Sequence, residues 1–185
     1  MLLREERDLL MEEKTENDQK GIKIAQLLEL VAKSTELDKF RLFLEEIEQI
    51  TKLTVSLTIR LSRLTKRIES GNLNKEEKVS NMFYFIKDLF TFSCLLFQAM
   101  QLKKKSKLVD QLNEAEILHQ NTDRRASQVR QLLSKYLLES DLREYDTFLV
   151  QLIKHITDLK ETEQRIQLGE EQLVALNDNL ISPPS

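Results

Sequence analysis

Proline, glycine, cysteine and tryptophan are nearly missing from this chain. Its 185 residues hold three Gly, two Pro, one Cys and no Trp. Both prolines, Pro183 and Pro184, stand at the extreme end, which excludes a turn-rich sheet protein. A lone Cys94 forms no internal disulfide and suits a reducing cytoplasm. The two histidines, His119 and His155, are too few and too far apart for a zinc site, so no metal and no cofactor are expected. No phosphate-cradling loop fits around Gly21, Gly71 or Gly169, and no Ser-His-Asp or Cys-His arrangement can be argued. The many carboxylates lie on solvated helix faces, without a pocket to shift their pKa values. An enzyme is therefore not expected. A net charge of −3 with both signs mixed argues against nucleic acid as a partner, which asks for a strongly basic surface. Arg4, Glu5, Glu6, Arg7 and Asp8 stand where a signal peptide would need an apolar core.

Leu, Glu, Lys, Gln and Arg dominate, with 32% charged and 41% hydrophobic residues, the composition of long helices. From Asp38 to Ile68 apolar residues recur at Phe40, Phe43, Ile47, Ile50, Leu57, Leu61, Leu64 and Ile68. With Thr54 in one slot, the steps alternate three and four, the repeat of a coiled-coil seam. Extended back to Ile22, the pattern predicts a helix of roughly 73 Å at about 1.5 Å per residue. A globule of this length has a radius of gyration of only about 16 Å, so a rod is expected.

Residues 1–21 read as a charged, weakly anchored helical lead-in, with Gly21 preceding the main helix. Lys33-Ser34-Thr35-Glu36 is a softer patch where that helix can be interrupted. It stops at Ser70-Gly71-Asn72, Gly71 taking a left-handed turn, and Asn74 with Glu76 and Glu77 restarts the chain. A second helix carries a seam at Leu108, Leu112, Ala115, His119, Thr122, Ala126, Val129, Leu133 and Tyr136, and ends near Leu138. Ser140 is the expected N-cap of a third, with its seam at Leu142, Tyr145, Leu149, Leu152, Ile156, Leu159, Glu163, Ile166, Glu170 and Leu173. That helix frays at Asn177-Asp178-Asn179 into a disordered tail, 181–185. The reading is all-α, three long helices with two short turns, the helical module covering 22–180.

Residues 79–98 (VSNMFYFIKDLFTFSCLLFQ) do not fit. They hold five of the eight Phe and are apolar on every face. A membrane span from Met82 to Met100 would bury Lys87 and Asp88, each costing about 2.5–3.5 kcal/mol at the bilayer centre. A buried helix or partner surface is a second reading. The third is a translated intron: Val-Ser can be encoded by a donor sequence and Phe-Gln by an acceptor, with Phe- and Leu-rich codons supplying the pyrimidine tract between. The third fits best, because twenty inserted helical residues would rotate the downstream seam by about 200°.

Three basic clusters remain. Arg60, Arg63, Lys66 and Arg67 flank the seam of Leu57, Leu61 and Leu64, with Val55 and Ile59 adding apolar surface outside a single stripe. Lys103, Lys104, Lys105 and Lys107 form the second, and Arg124, Arg125 and Arg130 the third. Each can be a solvated flank. The first suits an acidic coiled coil.

DKFRLF (38–43), SLTIRLSRL (56–64), DRR (123–125), KYLLESDLREYDTF (135–148) and LGEEQL (168–173) together resemble the second Apx/Shroom domain of Shroom proteins, in order over roughly 22–180. Removing 79–98 restores the family's spacing. The resemblance implies a segmented antiparallel coiled-coil homodimer without enzymatic activity. It also implies binding to the coiled-coil region of Rho-associated kinase, which such proteins place on apical actin to drive contraction and apical constriction. Cytoplasm, cytoskeleton and apical cell junctions follow as the location. The family's kinase-binding run is matched by Ser56, Leu57, Arg60 and Leu61, with Ile59 for Gly and Ser62 for Ala as departures. To these the basic pattern adds Arg63, Leu64, Lys66, Arg67, Arg124 and Arg125 as expected partner contacts. The actin cytoskeleton would be reached through upstream regions that this chain lacks, so it reads as a fragment. The rivals are a coil anchored to membrane through 82–100 and a spectrin-like spacer.

Overall fold

The computed structural model describes the backbone of residues 2–73 and 84–181 and the side chains of 2–69 and 95–178. Among the described residues the chain is all-helical: α1 (Leu2–Val31), α2 (Ser34–Leu73), α3 (Tyr84–Leu133) and α4 (Glu139–Ile181). Four helices replace the three expected. The first expected helix breaks at Ala32-Lys33, without Gly or Pro. Ala32 N–H closes α1 on the Leu28 carbonyl, and the Lys33 carbonyl opens α2 by accepting from Glu36 and Leu37 N–H. The break folds α2 back along α1, so that Ile24 and Leu28 share one core with Phe40 and Phe43. A continuous helix would have left both stripes without that contact.

The lead-in is no weak appendage. It is the first half of α1, paired antiparallel with α4 through Arg4–Glu170 at 2.8 Å and Arg165–Glu6 at 3.5 Å. Gly21 lies in mid-helix and is buried. Gly71 is helical, since α2 runs on to Leu73, and no described residue has a positive φ. The restart expected at Asn74 falls outside the described residues.

The helices form two compact units, Met1–Val55 with Leu118–Ser185, and Ser56–Ile117. The first is an up-and-down four-helix bundle. Its neighbours are tied by Arg41–Glu29 (α2 to α1), Arg125–Glu46 (α3 to α2), Arg130–Asp146 (α3 to α4) and Arg4–Glu170 (α1 to α4). Phe40, Leu133, Tyr145 and Leu28 are its largest fully buried side chains, and the rings of Phe40 and Tyr145 meet at 6.1 Å, tilted by 54°.

α3 ends at Leu133, not near Leu138, and a turn carries Leu137 into the core. α4 then starts at Glu139. The Leu138 carbonyl accepts from Asp141 and Leu142 N–H, while Ser140 Oγ only reaches Asp141 Oδ1 at 3.5 Å, so Ser140 is not the cap. On α4 the expected seam holds through Ile156 and then fails: Glu163, Glu170 and Leu173 are exposed, whereas Phe148, His155 and Thr162 are buried. This helix packs against α1 as well as α3, which asks for a wider stripe than one seam. It stays helical through Asn177-Asp178-Asn179 to Ile181.

The second unit is thin. Leu57, Leu108 and Ala115 are buried, with Leu61, Leu64 and Leu112 half-buried against them. Along α3 the buried residues Leu108, Ala115, Thr122 and Val129 recur every seven, and the half-buried Leu112, His119 and Ala126 fill the alternate slots, the seam that the sequence predicts.

Candidate partner-binding surface

The helical seam decides which members of the first basic cluster can meet a partner. Leu57 points inward and is 4% exposed. Ser56, Leu61, Arg63 and Leu64 are half-buried, while Arg60, Lys66 and Arg67 are exposed. Buried seam leucines orient the helix, and the flanking guanidiniums are what it offers outward.

α3 brings the second cluster to the first. A groove of about 530 Å³ runs between the two helices of the second unit. Arg60, Arg63 and Arg67 line one wall; Lys104 and Lys107 line the other. Leu64 and Leu108 form part of its lining, and Gln101 and Gln111 add amides. Among the described residues no carboxylate lines it. Lys66, Lys103 and Lys105 lie outside the lining. Sequence reading kept the two basic clusters apart. Their meeting was readable only through the antiparallel register that places Leu57 with Ala115 and Leu64 with Leu108 in one core.

Charge divides along the same lines. Residues 56–117 carry eleven Lys and Arg against seven Asp and Glu; the rest of the chain carries seventeen against twenty-four. The near-neutral total hides a basic segment in an acidic chain.

The third cluster is built into the first unit. Arg125 reaches the Glu46 carboxylate, and Arg130 Nε lies 3.0 Å from Asp146 Oδ1. These carboxylates hold both guanidiniums above their usual pKa. Arg125 thus joins α2 to α3, and Arg124 is exposed, as are the two paired arginines. The histidines do not meet: His119 Nδ1 lies 3.2 Å from Asp123 Oδ2, and the buried His155 lies 3.8 Å from Glu13. Among the described residues no group of three or more His, Cys, Asp or Glu could hold a metal ion. Nor is any helix among them long and apolar enough to cross a membrane.

The sequence model of the Apx/Shroom domain ASD2 matches residues 1–82 and 98–180. The chain belongs to the Apx/Shroom domain ASD2 family. Human Protein Shroom4 is 30% identical over 186 residues, covering 100% of this chain and 11% of the relative. Protein Shroom2 of Xenopus tropicalis is 32% identical over 97% of the chain and 9% of the relative. Drosophila Protein Shroom is 27% identical over 97% and 10%. The chain thus spans about a tenth of the length of these relatives. The match to the ASD2 model omits 83–97, within the segment set apart by its composition.

Proposed function

We propose that this ASD2 chain is a non-enzymatic scaffold module that binds the coiled-coil region of Rho-associated kinase and, as a homodimer, helps to place it on cortical actin at apical junctions. Contraction, apical constriction and epithelial cell shape would follow from that placement. The observation that carries the reading is the basic face of Arg60, Arg63 and Arg67, oriented by a buried Leu57, within a stretch that the ASD2 model matches. A guanidinium there can make a bidentate bond to a carboxylate of an acidic coiled coil. Lys66, also exposed, extends the contact in this reading, whereas Leu57 supports it from within.

Size-exclusion chromatography with light scattering on the full chain, alone and with a Rho-kinase coiled-coil fragment, tests it. A dimer mass that shifts on co-elution with the fragment is the expected result. A chain that elutes unchanged beside the kinase fragment overturns it.

We also propose that residues 79–98 are an insertion into the module. The family match stops at 82 and resumes at 98. Inside that gap, the consecutive Leu95, Leu96 and Phe97 are all more than half exposed, as befits a helical stretch without a partner face. The α2–α3 register points the same way. Leu64 beside Leu108 brings Leu73 about level with Ala99, which leaves the helical residues before Ala99 beyond the end of α2. Sequencing the transcript across this point tests the intron reading; a spliced message that retains the segment sinks it.

A further inference from the structure

Gly21 and Gly169 both stand inside helices, but among the described residues only the first is held small by a neighbour. Gly21 faces the ring of Phe148, whereas a Cβ on Gly169 would meet no described atom within 4 Å. Glycine is less favourable in a helix interior than any residue but proline. Gly169 therefore weakens α4 without easing a contact among the described residues. The missing side chain leaves a notch. It opens into a groove of about 310 Å³, lined by Leu3 and Arg4 of α1 and by Ile166, Gly169, Glu170 and Leu173 of α4. Ile166, Gly169, Leu173 and Leu176 follow one another by three, four and three. They share one face of α4 over about 15 Å. Leu173 and Leu176 are 67% and 61% exposed. Apolar residues at this spacing suit the anchors of an amphipathic helix, and a glycine among them lets a partner approach closely.

Charge selects the kind of helix. Residues 2–12 and 160–178, paired through Arg4–Glu170 and Arg165–Glu6, carry nine Asp and Glu against three Arg and one Lys. Each of these four cations already faces a carboxylate, the other two pairs being Arg7–Asp8 and Lys160–Glu163. The surplus is negative. It repels an anionic membrane and attracts a basic partner.

We propose that this acidic, notched face docks a basic amphipathic helix of a partner protein. The helix lies along α4 with its apolar side on Leu173 and Leu176 and a bulky side chain seated at Gly169. Its lysines and arginines flank that strip and meet the surplus carboxylates. This contact is independent of the kinase reading, which uses α2 and a partner of the opposite charge.

Fluorescence anisotropy of two labelled peptides, each about five helical turns long and titrated with the full chain, tests the face. Both repeat leucine at i, i+3, i+4 and i+7; one carries lysine at the remaining positions and the other glutamate. Saturable binding of the lysine peptide alone is expected. Gly169→Leu fills the notch and should weaken that binding by about tenfold or more. Gln167→Leu adds the same side chain about 200° around α4, at an exposed position, and should stay within about twofold of the parent. Gly169→Leu should also raise the melting temperature, because leucine is the better helix former. A lowered melting temperature would give the glycine to the fold and overturn the proposal. No binding, undiminished binding by Gly169→Leu, or equal binding of the glutamate peptide also overturns it. Light scattering on parent and variant is expected to give the same mass. A parent dimer that becomes a monomer on Gly169→Leu would assign the face to a second copy and overturn a separate partner. Kinase-fragment binding by Gly169→Leu is expected to persist, so failure of one reading is distinguishable from failure of the other. Its loss would place the kinase on this face and overturn the proposal.

Discussion

A Cβ built on Gly21 of α1 would stand 2.7 Å from Cζ and 2.8 Å from Cε2 of Phe148 on α4. Two residues from opposite ends of the sequence therefore set how closely α1 and α4 approach. Phe148 is itself 3% exposed, and its carbonyl accepts from the buried Asn17 Nδ2 at 3.0 Å. Its ring has little room to retreat.

Gly21→Ala should therefore destabilise the fold, against the usual sign. In a helix interior Ala is favoured over Gly by about 1 kcal/mol, but overpacking a core costs about 1–3 kcal/mol. We expect a net loss of about 1–2 kcal/mol in urea unfolding. The double variant with Phe148→Leu should lose less than the two single losses added together, because the smaller side chain makes room. A stabilised Gly21→Ala would show that the ring yields freely.

Tyr145→Phe should leave stability unchanged or raise it by about 1 kcal/mol. The ring is 1% exposed and its hydroxyl has no hydrogen-bond partner among the described residues. Burial, foremost, pushes its pKa far up. Removing a buried, unpaired hydroxyl relieves its desolvation cost while keeping the ring's packing on Phe40. Thermal melts of the two proteins check this, and a clear loss would reveal a bonded hydroxyl.

Much of this was legible in the sequence, and what failed did so for identifiable reasons. The three-four alternation marked the buried positions of α2 and α3 because one face of each is covered. It could not mark the break at Ala32-Lys33, which carries no Gly or Pro and follows from the gain when Ile24 and Leu28 fold onto Phe40. Nor could it mark His155 and Thr162, polar residues that α1 covers on a second face of α4. The charged start of the chain suggested a loose lead-in, since its ties to Glu170 and Arg165 involve partners more than 150 residues away. The basic clusters were visible one by one, but their facing across a groove depends on register between α2 and α3.

The Glu36–Tyr136 bond should make stability depend on pH in acid. The Tyr136 hydroxyl donates to Glu36 Oε2, pinning the start of α2 to the α3–α4 turn. This bond, foremost, holds the Glu36 carboxyl below its usual pKa, and holds the tyrosine above its own. A carboxyl with a depressed folded pKa adds stability that is fully present above its unfolded value. That stability is lost as pH falls through the lower folded value. The melting temperature of the parent should exceed that of Tyr136→Phe by a constant margin from pH 8 down to about 5.5. The margin should then shrink with further acidification, as protonation of Glu36 weakens the bond. A margin that does not change with pH would assign the tyrosine a packing role only.

Arg60 and Leu57 are three residues apart, yet their substitution should fail in opposite ways. Leu57 is 4% exposed in the small core with Leu108 and Ala115, so Leu57→Ala should cost about 2–4 kcal/mol. In so thin a core, that loss should appear as early urea unfolding of residues 56–117 by hydrogen exchange. Arg60 is exposed on the wall of the basic groove. Arg60→Glu should keep full helicity, because glutamate is as good a helix former, and should weaken a Rho-kinase fragment by about tenfold to a hundredfold through a lost charge-assisted bond and a new repulsion. Any apparent binding loss in Leu57→Ala would then track unfolding and recover with stabilising osmolyte, while that of Arg60→Glu would not. Should Arg60→Glu unfold the chain instead, the arginine would be a support of the α2–α3 seam, and the binding face would have to lie elsewhere.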